Sequence, residues 1–118
     1  MSQNRQQLLM AAALRAIAKP IKINDAKTLC HSAGAWLAQS GLAAAVDSVT
    51  RYQHQDISKW LLASYTDALK TLGVTPGADF RSWALGLSSV ENLRVTRDLI
   101  EFNHTLTRLA RMKDKGLL

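Results

Sequence analysis

The sequence is poor in the residues that build disulfides, rigid loops and metal centres. It has one cysteine, two prolines and three histidines among 118 residues. A single cysteine, Cys30, excludes a disulfide within the chain and favours a reducing, intracellular compartment. The histidines lie far apart along the chain. Cys30 and His31 are adjacent and form a poor chelate, and no second cluster is present to complete four ligands. We therefore predict no metal and no other cofactor.

Long hydrophobic runs are also missing. The longest apolar segments, such as Leu8–Leu14, fall well short of the ~20 residues that cross a bilayer. The first residues, Met1 to Arg5, lack the hydrophobic region and the small-residue cleavage site of a secretory signal. We expect a cytoplasmic protein that does not associate with membranes.

Signatures of catalysis are absent from the sequence. It contains no Gly-Lys step of a phosphate-binding loop and no Gly-x-Ser-x-Gly motif around a serine. The acids are few and isolated. Asp98 and Glu101 are close in sequence, but Arg94, Arg97 and Arg108 flank them, which favours ion pairing over an acid–base pair. The sequence predicts a protein that is not an enzyme.

What the chain does have is helical periodicity, and 47% hydrophobic residues are enough for one core at this length. We predict an all-α fold, a compact single-domain bundle over residues 1–118 with about six helices. The predicted helices are: a first from about Asn4 to Lys19; a second capped by Asn24 or Asp25 and ended by Gly41; a third from Gly41 to about Tyr52; a fourth capped by Asp56 and closed by Gly73; a fifth from Ala78 to Leu87; and a long last helix from Ser89 to Lys113, with Ser88 and Glu91 as a capping box.

The aromatic residues are predicted mainly as core. Trp36, Trp60 and Trp83 each lie on the apolar stripe of their helix, which favours packing over base stacking. Tyr52 is the exception, because it follows Arg51 at a predicted helix end, where a ring beside a cation could stack on a base.

The last helix carries the clearest functional pattern. Its apolar residues recur at spacings of three and four and form one stripe, while its basic residues lie on the opposite side. Fifteen Lys and Arg against nine Asp and Glu give the chain a net charge of +6, which favours a polyanionic partner. The apolar stripe consists of Val95, Leu99, Phe102, Leu106 and Leu109, and the basic side of Arg94, Arg97, His104, Arg108, Arg111 and Lys115.

A second basic segment lies at the start of the chain. Arg15, Lys19 and Lys22 would fall within about 60° of one another if helical geometry continued past Pro20. From both segments and Arg51, we predict nucleic-acid contacts at Arg15, Lys19, Lys22, Arg51, Arg94, Arg97, Arg108 and Arg111. The alternative for each is a solvated charge that serves solubility alone.

The order of these features resembles the small α-helical subunit of type III-B CRISPR effector complexes, the Cmr assembly, and more distantly the small subunits of related CRISPR effectors. The resemblance covers most of the chain. It rests on Ala35–Val46 with its central Ser40-Gly41-Leu42 step, on the basic Arg51 that follows, on Leu93–Ile100, and on Arg108-Leu109-Ala110.

The resemblance implies a non-catalytic subunit of which several copies stack head-to-tail along the guide RNA and its target strand, beside other effector subunits. Sequence specificity would come from the guide, and the subunit would contact the backbone. Two further interpretations stay open: a helix-turn-helix DNA-binding regulator using Asp25–Tyr52, and a bundle that binds proteins only. Against the regulator, the second helix of that segment is Ala-Ala-Ala-Val, without the polar tip that reads base edges.

Overall fold

The computed structural model describes residues 4–118. Residues 1–3 lie outside it, although they are part of the predicted domain and of the segment expected to lack a secretory signal. The described residues form five helices and contain no strand. The all-helical fold class is therefore confirmed. The helices are α1 (Arg5–Ile17), α2 (Ile23–Thr50), α3 (Gln55–Thr71), α4 (Phe80–Leu85) and α5 (Ser89–Asp114).

The long last helix begins as its sequence predicts. The Ser88 hydroxyl accepts a hydrogen bond from the Glu91 backbone N–H, and the Glu91 carboxylate accepts one from the Ser88 N–H, which completes a capping box. The same arrangement between Asn4 and Gln7 starts α1. Both boxes satisfy backbone donors that a helix start leaves without partners.

The number of helices differs from six because the predicted second and third helices are joined in α2. Gly41 is its one residue with non-helical dihedrals, at φ 80° and ψ −179°. This region of backbone space is accessible essentially to glycine alone, so Gly41 kinks α2 without a connecting loop. The sequence predicts a left-handed conformation at Gly41; its φ is positive as expected, but its ψ of −179° lies outside the left-handed helical region.

Two predicted caps were wrong. The residue that precedes α2 is Lys22, not Asn24 or Asp25, and it makes no side-chain cap. Ile23 is half-buried, so packing of this residue on the core extends the helix towards Pro20. Similarly, His54 precedes α3 and Asp56 lies in its first turn, where its charge still favours the helix dipole.

The fifth predicted helix is shorter than expected, because α4 covers Phe80–Leu85 instead of Ala78–Leu87. Asp79 caps it by accepting hydrogen bonds from the backbone N–H groups of Arg81 and Ser82. The Ser82 hydroxyl also donates to the Asp79 carboxylate. This bond first, and then the backbone bonds, hold the pKa of Asp79 below its ordinary value. Gly73, at φ 87°, follows α3 and closes it as predicted.

One hydrophobic cluster contains side chains from all five helices. The apolar stripe of α5 is buried completely or nearly so, from Val95 at 3% exposure to Leu109 at 4%. Trp60 also lies in the core, and its indole N–H donates to the Ala16 carbonyl at 3.0 Å. Trp36 and Trp83 are half-buried and pack against the margin of this cluster, so the prediction that they are core residues is only partly correct.

Helix α5 packs on α1, α2 and α3 and places its basic side outward. Arg5 contacts Asp98 near the start of α1, and Lys113 reaches the Ile17 carbonyl at its end, so α1 and α5 run in the same direction. Contacts of Lys27 with Asp114 and of Cys30 with Asn103 show that the first half of α2 runs in the opposite direction.

Candidate nucleic-acid interface

The outward side of α5 carries a row of basic side chains, which we name the basic stripe. Its members project within about 60° of one another and extend over about 27 Å along the helix axis, from the geometry of an α-helix. All of them are exposed. The basic stripe consists of Arg97, His104, Arg108, Arg111 and Lys115. Such a row suits a polyanion, because its charges are spaced along one line.

The acids next to the basic stripe are paired with cations from other helices. Arg5 of α1 donates to the carboxylates of Asp98 at 2.5 Å and Glu101 at 2.8 Å. These bonds, first the one to Glu101 and then the one to Asp98, raise the pKa of Arg5 above its ordinary value. Asp114 is paired in the same way with Lys27 of α2, at 2.7 Å.

The arginines of the basic stripe itself remain unpaired with acids. Within residues 4–118, neither Arg97, Arg108 nor Arg111 forms a salt bridge. Ion pairing of Asp98 and Glu101 was expected, but with arginines of their own helix. The structure assigns it to Arg5, which leaves the charge of the α5 arginines available to a ligand.

A groove between α2 and α5 runs along the C-terminal half of the basic stripe. Two adjoining cavities of about 450 Å³ each share His31 and Arg111. The walls of the groove carry polar and charged side chains from both helices. They are Lys27, Thr28, His31 and Ser32 of α2, His104, Thr107, Arg108, Arg111 and Asp114 of α5, and Lys115, which follows α5.

The floor of the groove is a buried hydrogen-bond network centred on Asn103. Its Oδ1 accepts from the Tyr65 hydroxyl at 2.6 Å, and its Nδ2 donates to the Cys30 carbonyl at 2.8 Å. Asn103 is 1% exposed. Because buried amides cost free energy unless bonded, this network fixes the spacing of α2 and α5 beneath the charged walls.

The structure brings together only some of the eight predicted contact residues. Arg108 and Arg111 line the groove, and Arg97 continues their row. Arg94 borders another cavity, of about 300 Å³, beside Trp83. Lys19 and Lys22 are exposed in the connection between α1 and α2.

Arg15 and Arg51 lie on other surfaces and are already engaged. Arg15 donates to Asp67 at 3.0 Å and to the Thr71 hydroxyl at 2.8 Å. Arg51 pairs with Asp47 at 3.1 Å. Arg15, Lys19 and Lys22 do not share one helical face, because the helical geometry that this would need does not continue past Pro20: α1 ends at Ile17 and the chain turns before Lys22.

His31 was not predicted to belong to a basic surface, and Lys27 was counted only with the basic segment at the start of the chain, not beside α5. They lie on α2, so their position opposite Arg111 and Asp114 follows from helix packing and not from local pattern. His104 does fall within the basic side of α5 by spacing, and that signal was present in the sequence.

Three large apolar side chains are exposed at the end of α4 and in the first turns of α5, and we name them the apolar patch. Leu85 is 62% exposed, Val90 77% and Leu93 67%. Val90 and Leu93 are neighbours on one face of α5, because residues three apart in a helix lie on the same side. Large apolar side chains that are exposed in this way suit contact with another protein.

Comparison with protein-family models, curated proteins and solved structures finds no match for this chain. Between Asn4 and Leu118, no three His, Cys, Asp or Glu side chains form a group that could hold a metal ion. None of the helices in this range is both long and apolar enough to cross a membrane.

Proposed function

We propose that this protein is a non-catalytic subunit that binds the phosphate backbone of nucleic acid through the basic stripe and the α2–α5 groove. The observation that carries the proposal is the pairing pattern: neighbouring acids are neutralised by Arg5 and Lys27, while Arg97, Arg108 and Arg111 have no acidic partner among the described residues. Point charges spaced along a helix bind phosphates without reading bases.

The resemblance of the sequence to small subunits of type III-B CRISPR effectors supports the finer proposal. In it, several copies lie head-to-tail along a guide RNA and its target strand. Head-to-tail stacking is heterologous, so it requires two different contact surfaces on each copy. The apolar patch of Leu85, Val90 and Leu93 provides one surface that suits contact with a neighbouring copy or another effector subunit.

The kink in α2 disfavours the helix-turn-helix alternative. In that motif a turn of three to four residues separates the two helices, and the second helix enters the major groove. Here Gly41 is the single non-helical residue between Ile23 and Thr50. Leu42, Ala45 and Val46, which begin the second half, are buried in the core and cannot reach a base edge.

Binding measurements with charge-reversed variants test the proposal. We expect weak, salt-dependent binding to single-stranded RNA, little dependence on sequence, and stronger binding to a guide-containing effector complex, where neighbouring copies raise the effective concentration. Exchanging Arg108 and Arg111 for Glu should lower affinity and reduce the log–log salt slope by at least about 1.4, from 0.7 per phosphate contact on a single strand.

A matched control has the same change in charge on a different surface. Lys59 and Lys70 are exposed on α3, and their joint exchange for Glu should affect RNA affinity much less. Circular dichroism of all variants checks the fold. Tight binding to one duplex DNA sequence that persists at high salt would favour a regulator, and absence of binding to any nucleic acid or complex would favour a protein-only adaptor.

A further inference from the structure

A guanidinium and an imidazole face each other across the groove with no carboxylate between them. Nη2 of Arg111 lies 3.5 Å from Nδ1 of His31. A guanidinium has donors only, so a histidine nitrogen that accepts from it carries no proton. Protonating that nitrogen would place two cations in contact. The direct hydrogen bond between the two groups can therefore form only with a neutral imidazole. A protonated imidazole needs an anion between it and the guanidinium.

The other charged groups that face His31 do not supply that anion. Lys27 on its own helix and Lys115, which follows α5, are cationic, and Asp114 of α5 is held by Lys27 at 2.7 Å. His104, Arg108 and Arg111 form the rest of the surrounding wall. Donors thus converge on this part of the groove from two helices, and its one carboxylate is engaged.

We propose that a phosphodiester group of nucleic acid binds between Arg111 and His31, and that His31 takes up a proton when it binds. One phosphate oxygen accepts from the Arg111 guanidinium, and a second accepts from the newly protonated Nδ1–H of His31. The proton comes from solvent, and no covalent bond changes. The bound anion favours the protonated imidazole, because opposite charges in contact attract.

This inference rests on the proposed function and adds a dependence on pH to it. Imidazole side chains ordinarily titrate near pH 6.5, whereas a phosphodiester does not change its charge near neutral pH. Affinity should therefore rise as the pH falls from 8 to 6, by about three- to tenfold for one linked proton. Backbone binding by lysine and arginine alone has no such dependence in this range.

The test measures fluorescence anisotropy of a labelled single-stranded RNA at pH 6 and pH 8 and at constant ionic strength. Wild-type protein should bind more tightly at pH 6. Exchange of His31 for Gln should make the affinities at the two pH values equal. His54 is exposed between α2 and α3 beside Tyr52, and H54Q serves as the control that keeps the pH dependence.

Competition at pH 6 separates the sources of phosphate. RNA without label should compete far better than inorganic phosphate at equal ionic strength, since a single ion lacks the neighbouring contacts along the basic stripe. Equal competition by inorganic phosphate would assign the site to a free anion instead of a nucleic-acid backbone, and would overturn this inference.

The remaining outcomes separate this inference from the proposed function. Salt-dependent RNA binding with equal affinity at both pH values overturns the inference and leaves the proposed function standing. The same holds if pH dependence survives in H31Q but disappears in H104Q, because the proton is then taken up elsewhere in the groove. Absence of RNA binding at low salt and pH 6 overturns the inference, and absence of binding to any nucleic acid or to the guide-containing complex overturns the proposed function as well.

Discussion

A β-carbon at Gly34 would lie 3.0 Å from Nδ2 of Asn103, the centre of the buried network between α2 and α5. Nδ2 is fixed by its bond to the Cys30 carbonyl, and Oδ1 by the Tyr65 hydroxyl. The amide therefore has little freedom to move. Glycine at position 34 allows α2 to approach α5 closely enough to form the floor of the groove.

Exchange of Gly34 for Ala should destabilise the protein. Alanine would normally stabilise a helix interior by about 1 kcal/mol over glycine. Here the contact with Asn103 should reverse that sign and give a net loss of about 1–2 kcal/mol in the free energy of unfolding. Chemical denaturation measures it. In an N103A background the same exchange should become favourable, and a G34A protein more stable than wild type would contradict the close approach.

Exchange of Gly41 for Val should cost about 1–3 kcal/mol of unfolding free energy, because a β-branched residue is strained at φ 80° and ψ −179°. No atom lies within 4 Å of a β-carbon at this position, so the loss is conformational and not a collision. The exposed neighbour Ser40 is the control, and S40V should lose much less. Equal denaturation midpoints for G41V and S40V would show that the kink is dispensable.

Cys30 should be unreactive in the folded protein. Burial raises the pKa of its thiol to about 12, and the thiolate is the reactive form. At pH 8 a thiol reagent should modify it slowly in the native state and rapidly in denaturant. Rapid native labelling, at the rate of a free cysteine, would contradict this burial.

Alkaline pH should destabilise the fold through Cys30 and Tyr65. Burial raises the pKa of both groups, and for Tyr65 the nearby Cys30 adds to the effect. The unfolded chain ionises first, so their contribution to stability is complete below the unfolded thiol pKa near 9 and declines as the pH rises towards 12. Denaturation at pH 8 and pH 10.5 measures the loss, which should be smaller in C30A. An equal or larger loss in C30A would count against the assignment.

Arg15 should contribute to stability more than to binding, because Asp67 and Thr71 already engage its guanidinium. R15Q should lower the free energy of unfolding by about 0.2–1 kcal/mol, the range for an exposed ion pair, and leave RNA affinity nearly unchanged. R97Q, which removes a charge without a described acidic partner, should show the reverse. A larger loss of RNA affinity in R15Q than in R97Q would restore the sequence-based assignment of Arg15 to the interface.

Local signals in the sequence predict much of this fold. The period of the α5 apolar stripe, the Ser88 and Glu91 capping box and the positive φ of Gly41 each depend on residues a few positions apart. Such features are encoded by helical spacing and by the steric needs of single residues, so they are readable before the tertiary structure is known. The start of α2 at Ile23 was missed because packing on the core overrides the capping preference of Asn24 and Asp25.

The groove, in contrast, depends on pairs that are distant in sequence. Arg111 and His31 are 80 positions apart, and Arg5 and Asp98 are 93 apart. The sequence suggests arginines of the same helix as partners for Asp98, since those are the neighbours it makes visible. The actual partner is supplied by the packing of α1 along α5, which no periodicity specifies.

Arg5 in the first turn of α1 neutralises Asp98 and Glu101 beside the basic stripe. The charge of the basic stripe therefore depends on a residue that does not belong to it. A cleavage after residue 5, or a fused partner that pulls this turn away, would expose two carboxylates beside the basic stripe and repel the phosphates that it attracts. A change at the amino-terminal end would thereby weaken nucleic-acid binding although every residue of the basic stripe is unchanged.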